Sequence, residues 1–233
     1  MSADAAQLVA AVRAALADAG DPERAAAQQK YMKSSMPYYG ISASALRALL
    51  KQPLSEHRLA EVAEWQRAIR TLWDEASHRE HWYAALAVAR HRYYKVWRTD
   101  LKSLPLYEHL VRAGCWWDVC DETASHLIAP LLDAHRGTIE PVMRQWSRDP
   151  ELWIRRVAVQ SQLSLKADTD PALLGELIVP NLGVTTFWMR KAIGWSLREY
   201  SKVDPEWVRD FVAEHEARLS GLSRREALRL IDR

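Results

Sequence analysis

Asp204-Pro205-Glu206-Trp207-Val208-Arg209-Asp210-Phe211-Val212-Ala213-Glu214-His215 is the stretch whose reading decides the fold. An Asp side chain can accept from the free backbone N–H groups of a first helical turn. A Pro at the next position has no N–H to leave unpaired and a φ already helical. The same Asp-Pro pair recurs at Asp21-Pro22, Asp149-Pro150 and Asp170-Pro171, and a Glu follows in three of the four cases. Two capping boxes, Ser77-His78-Arg79-Glu80 and Ser223-Arg224-Arg225-Glu226, mark further helix starts. Gly is scarce, no Asn-Gly or Asp-Gly hairpin signal occurs, and the periodic segments are rich in Ala, Leu, Arg and Glu. Helices are expected over 3–19, 24–35, 42–51, 55–74, 78–94, 103–113, 116–131, 138–147, 150–164, 171–180, 185–202, 205–215 and 223–232. The short β-branched run Leu177-Ile178-Val179 reads as a helix end.

Many helices of similar length on short polar links must bury their apolar stripes against each other. A period of roughly 35–40 residues per helix pair matches HEAT-like repeats. The expectation is an all-α, HEAT-like α-solenoid of antiparallel helix pairs, one domain over residues 1–233, whose concave surface is the natural binding site.

Composition narrows the function. At 233 residues and 48% hydrophobic content the chain can bury a sizeable core without disulfides. Cys115 and Cys120 are too close for a framework disulfide and read as small packers on one helix, in a reducing, cytoplasmic compartment. The Ala-rich start is interrupted by Asp4, Arg13 and Asp18, so it reads as neither a signal peptide nor a membrane span. A net charge of only +2 means that any nucleic-acid face must be made by sorting cations onto one side.

Trp116-Trp117-Asp118-Val119-Cys120-Asp121 carries the main chemical signal. Trp117 and Asp121 lie four residues apart, hence on one helix face, and an aromatic wall beside a carboxylate suits a flat cation. Trp153 and Arg156 share a face at i,i+3. Lys191, Trp195 and Arg198 fall on one stripe, with Gly194 allowing close approach of another body. Tyr31 sits between Lys30 and Lys33, and Arg224-Arg225 adds charge near the C-terminus. Together these would make a basic face with interleaved aromatics, the footprint of a nucleic-acid backbone. The chain has 11 Trp against 2 Phe, which favours the residue with the largest π face for a cation. His78-x-x-His81 is half a metal site with no third ligand cluster, so no metal and no cofactor is expected. Phosphate loops, nucleophile elbows and metalloprotease motifs are missing from the sequence.

In order along the chain stand Tyr31-Met32-Lys33, Gly40-Ile41, Leu72-Trp73-Asp74, and Trp116-Trp117-Asp118 through Asp121. Trp153-Ile154-x-Arg156, Lys191-Ala192-Ile193-Gly194-Trp195-x-Leu197-Arg198-Glu199-Tyr200 and Leu222-Ser223-x-Arg225-Glu226-Ala227 follow. Through these seven motifs the whole chain resembles the AlkD family of DNA alkylation-repair glycosylases. The resemblance implies a monofunctional glycosylase releasing cationic N3- or N7-alkylated purines from duplex DNA without flipping the base. It implies Asp121 as catalytic carboxylate, Trp117 and Trp195 as aromatic walls, Arg156 on a backbone phosphate, and Tyr31 contacting the lesion from the N-terminal side. Lys191, Arg198 and Arg225 are the further DNA-binding residues expected on the basic face. The partner is duplex DNA containing alkylated purines, and the protein is expected to act as a monomer away from membranes. The alternatives are a non-catalytic HEAT-like scaffold for DNA or protein, and a helical-repeat RNA binder.

Overall fold

The computed structural model describes residues 3–231, and the contacts divide the chain into two compact units after Arg98. The chain is all-helical, of the α-solenoid class read from its helix starts. Among the described residues there is no strand, and no helix is long and apolar enough to cross a membrane.

Unit 1 contains α1 (Ala3–Asp18), α2 (Pro22–Met32), α3 (Ala43–Leu49), α4 (Lys51–Glu56), α5 (Val62–Asp74), α6 (Arg79–Arg90) and α7 (Lys95–Arg98). Helix α1 packs on α5, and α5 on α6. Leu8, Val12 and Leu16 form the buried stripe of α1, and Trp65, Ile69 and Leu72 that of α5. Each such side chain contributes about 1.5–3 kcal/mol through burial. Asp21 caps α2 by accepting from the Arg24 N–H at 3.0 Å. The helix stops at Met32, short of the expected 35, because Lys33 is left-handed at φ 52°.

The expected helix 55–74 is broken, with α4 ending at Glu56 and α5 starting at Val62. Between them the buried Leu59 N–H donates to the Tyr94 hydroxyl at 3.2 Å, a tertiary bond that competes with helix continuation. The capping box at Ser77–Glu80 does not form either: His78 is the N-cap of α6 and makes no side-chain cap bond. The fully buried Glu80 carboxylate instead accepts from the N–H groups of Tyr39 (2.9 Å), Gly40 (2.9 Å) and Ile41 (3.1 Å). Only glycine suits position 40, where φ is +89° and an added Cβ would lie 2.1 Å from the Asp21 carbonyl oxygen.

Unit 2 contains α8 (Leu104–Gly114), α9 (Trp117–Thr123), α10 (Ala129–Ala134), α11 (Arg136–Trp146), α12 (Leu152–Gln160), α13 (Pro171–Ile178), α14 (Phe187–Tyr200), α15 (Pro205–Glu214) and α16 (Gly221–Leu228). Helices α9, α12, α14 and α16 are neighbours in succession, and α8, α11, α13 and α15 pack behind them. Val159, Leu174, Ile178, Met189, Ile193 and Leu197 belong to the buried cluster that joins the later helices. Asp170 and Asp204 cap α13 and α15 as expected. Asp149 does not cap α12: it accepts the Glu151 N–H at 2.8 Å and a fork from Arg112, at 2.7 and 3.3 Å. Glu151 takes the cap, and the helix spans 152–160 rather than 150–164. The capping box at Ser223–Glu226 also yields, with Ser220 as the N-cap of α16, accepting from the Ser223 N–H at 3.0 Å.

Candidate active site

Helix α8 ends at Cys115, which is left-handed at φ 38°, and Trp116 is extended at φ −149° and ψ 156°. This turn starts α9 at Trp117. It also corrects the reading of the two cysteines as neighbours on one helix: Cys115 is the turn residue and only Cys120 is a buried helical packer. After α9 the chain makes a π-helical turn over Ala124–Ile128 before α10, where one straight helix over 116–131 was expected. Such a turn widens the backbone ladder and recurs near functional sites.

Trp117 and Asp121 are both half-buried and lie one turn apart on the same face of α9. Arg156, only 4% exposed, reaches over from α12 and forks onto Asp121. Its Nε donates to Oδ1 at 2.9 Å and its Nη2 to Oδ2 at 3.1 Å. The Nη1 donates to the Trp188 carbonyl at the start of α14. Arg156 thus ties three successive helices together. Burial pushes the Asp121 carboxyl above the ordinary carboxylate range, while Arg156 pulls it back and Asp118 adds a small upward push.

A cluster of indoles stands beside this pair. The Trp188 ring lies 5.4 Å from that of Trp116, 6.0 Å from Trp153 and 6.3 Å from Trp117, the last pair within 12° of parallel. Trp116 and Trp153 are 5.6 Å apart. Trp188 was not singled out from the sequence, although Trp188, Lys191, Trp195 and Arg198 continue one helical stripe at i, i+3, i+7 and i+10. Trp195 is half-buried, and its Nε1 donates to Glu199 at 3.3 Å.

The expected cations fall into distinct settings. Lys191 and Arg198 converge on Glu226 of α16, with Nζ–Oε1 2.9 Å and Nη1–Oε2 2.5 Å. The Lys191 hydrogen bond first, then the two positive charges, hold the Glu226 carboxyl below its ordinary value. Gly194 lets α14 and α16 approach, because an added Cβ would lie 2.6 Å from the Glu226 Cβ and 3.0 Å from the Ser223 carbonyl oxygen. The body admitted by Gly194 is therefore another helix of the same chain. Arg225 is exposed, whereas Arg224 pairs with Glu216 at 2.8 Å. Tyr31 is 76% exposed on α2 in unit 1.

Neither His78 nor His81 stands as a metal ligand: His78 stacks on Tyr39 at 3.8 Å, and His81 is buried and accepts the Ser77 N–H at 3.3 Å. Among the described residues, no group of three His, Cys, Asp or Glu side chains could hold a metal ion.

A search of curated proteins finds no match. A solved structure described as a predicted DNA alkylation repair enzyme from Enterococcus faecalis is similar at a TM-score of 0.81 and 31% identity. The match covers 92% of this chain and 97% of that one. The family model described as DNA alkylation repair enzyme matches residues 12–231, and the chain belongs to that family.

Proposed function

We propose that the protein is a monofunctional DNA N-glycosylase that hydrolyses the N-glycosidic bond of cationic N3- and N7-alkylated purines in duplex DNA. The observation that carries this reading is the half-buried Asp121 carboxylate, held by a buried guanidinium one turn from Trp117. Alkylation at N3 or N7 makes the purine positive. When the C1′–N bond breaks, its electron pair neutralises the departing base, so no general acid is needed. Positive charge then develops on the sugar, water adds to C1′, and a proton leaves. A carboxylate suits both the charge and the water.

A unit charge about 4 Å from Asp121 at an effective dielectric near 20 is stabilised by ~4 kcal/mol, or roughly a thousandfold in rate. Each indole of Trp117 and Trp195 adds ~0.5–2 kcal/mol of cation–π attraction. Arg156, buried between Asp121 and the Trp188 carbonyl, orients the carboxylate. Tyr31, Lys191, Arg198 and Arg225 supply further DNA contacts. The base stays stacked, so recognition rests on charge, sugar and backbone instead of an enclosing pocket. The protein works as a monomer in the cytoplasm.

The test compares release of a methylated purine, a bulky cationic N3 or N7 adduct, and deoxyuridine or deoxyinosine in one duplex. Both cationic lesions should be removed and the neutral ones refused. Efficient removal of a neutral base, or failure on every bulky cationic adduct, would overturn the open-site reading. A non-catalytic scaffold, in which Asp121–Arg156 is only an internal strut, releases no base at all.

A further inference from the structure

We propose that Glu199 is a positioning residue for base excision: its carboxylate holds the Trp195 indole by the ring N–H and enriches the ring face that meets a cationic base. This rests on the reading of Trp195 as one wall of the lesion site. Trp195 and Glu199 lie four residues apart on α14, one turn along the same face. The Trp195 Nε1 donates to the Glu199 Oε1 at 3.3 Å. The other oxygen, Oε2, accepts from the Lys202 Nζ at 2.5 Å, and the Arg198 Nε lies 3.9 Å from Oε1. Lys202 stands just past the end of α14, so the carboxylate is anchored at one oxygen and offers the other to the indole.

Trp116, Trp117, Trp153 and Trp188 hold one another by ring contacts, and Trp195 stands outside that cluster. An indole has one polar atom, and where that atom bonds decides which way the ring faces. For Trp195 the Glu199 bond therefore does what ring packing does for the other four. The acceptor is also charged, which makes the bond about twice as strong as one to a neutral oxygen. By drawing on the N–H proton it leaves more electron density on the ring, and that density is what attracts a cation to the face. Lys202 offsets the carboxylate charge, so what Glu199 passes to the lesion is the orientation and electron density of the indole, not direct attraction.

The experiment uses the full chain as Glu199→Ala, Glu199→Gln, Trp195→Phe and the double variant Trp195→Phe/Glu199→Ala, with nitrogen-15 in the indoles. The signal missing from Trp195→Phe identifies the Trp195 N–H. In Glu199→Ala it should move upfield and exchange faster with water; in Glu199→Gln, which keeps a neutral acceptor, it should move part of the way. Single-turnover excision of 7-methylguanine should fall about tenfold in Glu199→Ala and about two- to threefold in Glu199→Gln, the scale of losing a charge-assisted bond against weakening it. In the Trp195→Phe background no ring N–H remains to be held, so adding Glu199→Ala should leave excision unchanged within about twofold. Melting temperatures should stay near wild type, because a solvent-accessible pair one turn apart adds little stability. An unmoved Trp195 N–H in Glu199→Ala, or a tenfold loss that persists in the Trp195→Phe background, would overturn the proposal. Absence of base release by the wild type would overturn the reading of Trp195 as a lesion wall instead, and the N–H signal still decides whether Glu199 holds the ring.

Discussion

Replacing Asp121 by Asn tests the site most sharply, because the structure couples two effects that a simple catalytic reading treats as one. The first is chemical: loss of the negative charge removes ~4 kcal/mol of attraction for the developing sugar cation, and excision falls roughly a thousandfold. The second is structural. Arg156 is 4% exposed and takes its counter-charge from Asp121. Leaving a buried guanidinium without its partner destabilises a protein by about 3–5 kcal/mol. In a chain of this length that lowers the melting temperature by roughly 10 °C. The double variant Asp121→Asn/Arg156→Met removes both charges, so most of the stability should return while excision stays lost.

The assay is thermal unfolding of the three proteins alongside single-turnover release of 7-methylguanine at a temperature where all are folded. The reasoning fails if the single variant melts like wild type. It also fails if excision recovers with stability in the double variant, since the carboxylate would then be only a strut.

Acidification should slow excision at a pH above the ordinary carboxylate range, because burial raises the Asp121 pKa and the working form is ionised; a pH–rate profile locates that limb. His81 is held neutral, with its pKa lowered from 6.5 to about 4 chiefly by desolvation, so the unfolded chain binds the extra proton first. Its contribution of about 3 kcal/mol is complete above pH 6.5 and is lost as pH falls toward 4, which urea unfolding against pH would show. Gly194→Ala should cost about 1–3 kcal/mol by forcing α16 away from α14, and should loosen the grip of Glu226 on Lys191 and Arg198, read by thermal unfolding. Arg225→Ala should lessen the slope of log affinity against log salt by about one unit, while Glu226→Gln should tighten DNA binding by freeing two cations.

Local chemistry made the helices legible wherever no distant partner claimed the capping residue. Asp21, Asp170 and Asp204 cap as their Asp-Pro context requires. The three signals that misplaced a helix start all involve a side chain taken by a distant partner. Asp149 binds Arg112, Glu80 binds the backbone at 39–41, and Glu226 binds Lys191 and Arg198. A carboxylate in a local pattern cannot reveal that competition, since the competing donor is dozens of residues away. The same holds for the left-handed turn at Cys115 and the π-helical turn at Ala124–Ile128.

By itself the sequence determined the all-helical class, most helix positions and the shared helix face of Trp117 and Asp121, because these follow from periodicities within a few residues. Only the tertiary structure decided that Arg156 is buried against Asp121 and that Trp188 joins the indole cluster. Those facts depend on which helices are neighbours. Side chains that meet across α9, α12 and α14 share no spacing along the chain, only a common face once the core has brought their helices together.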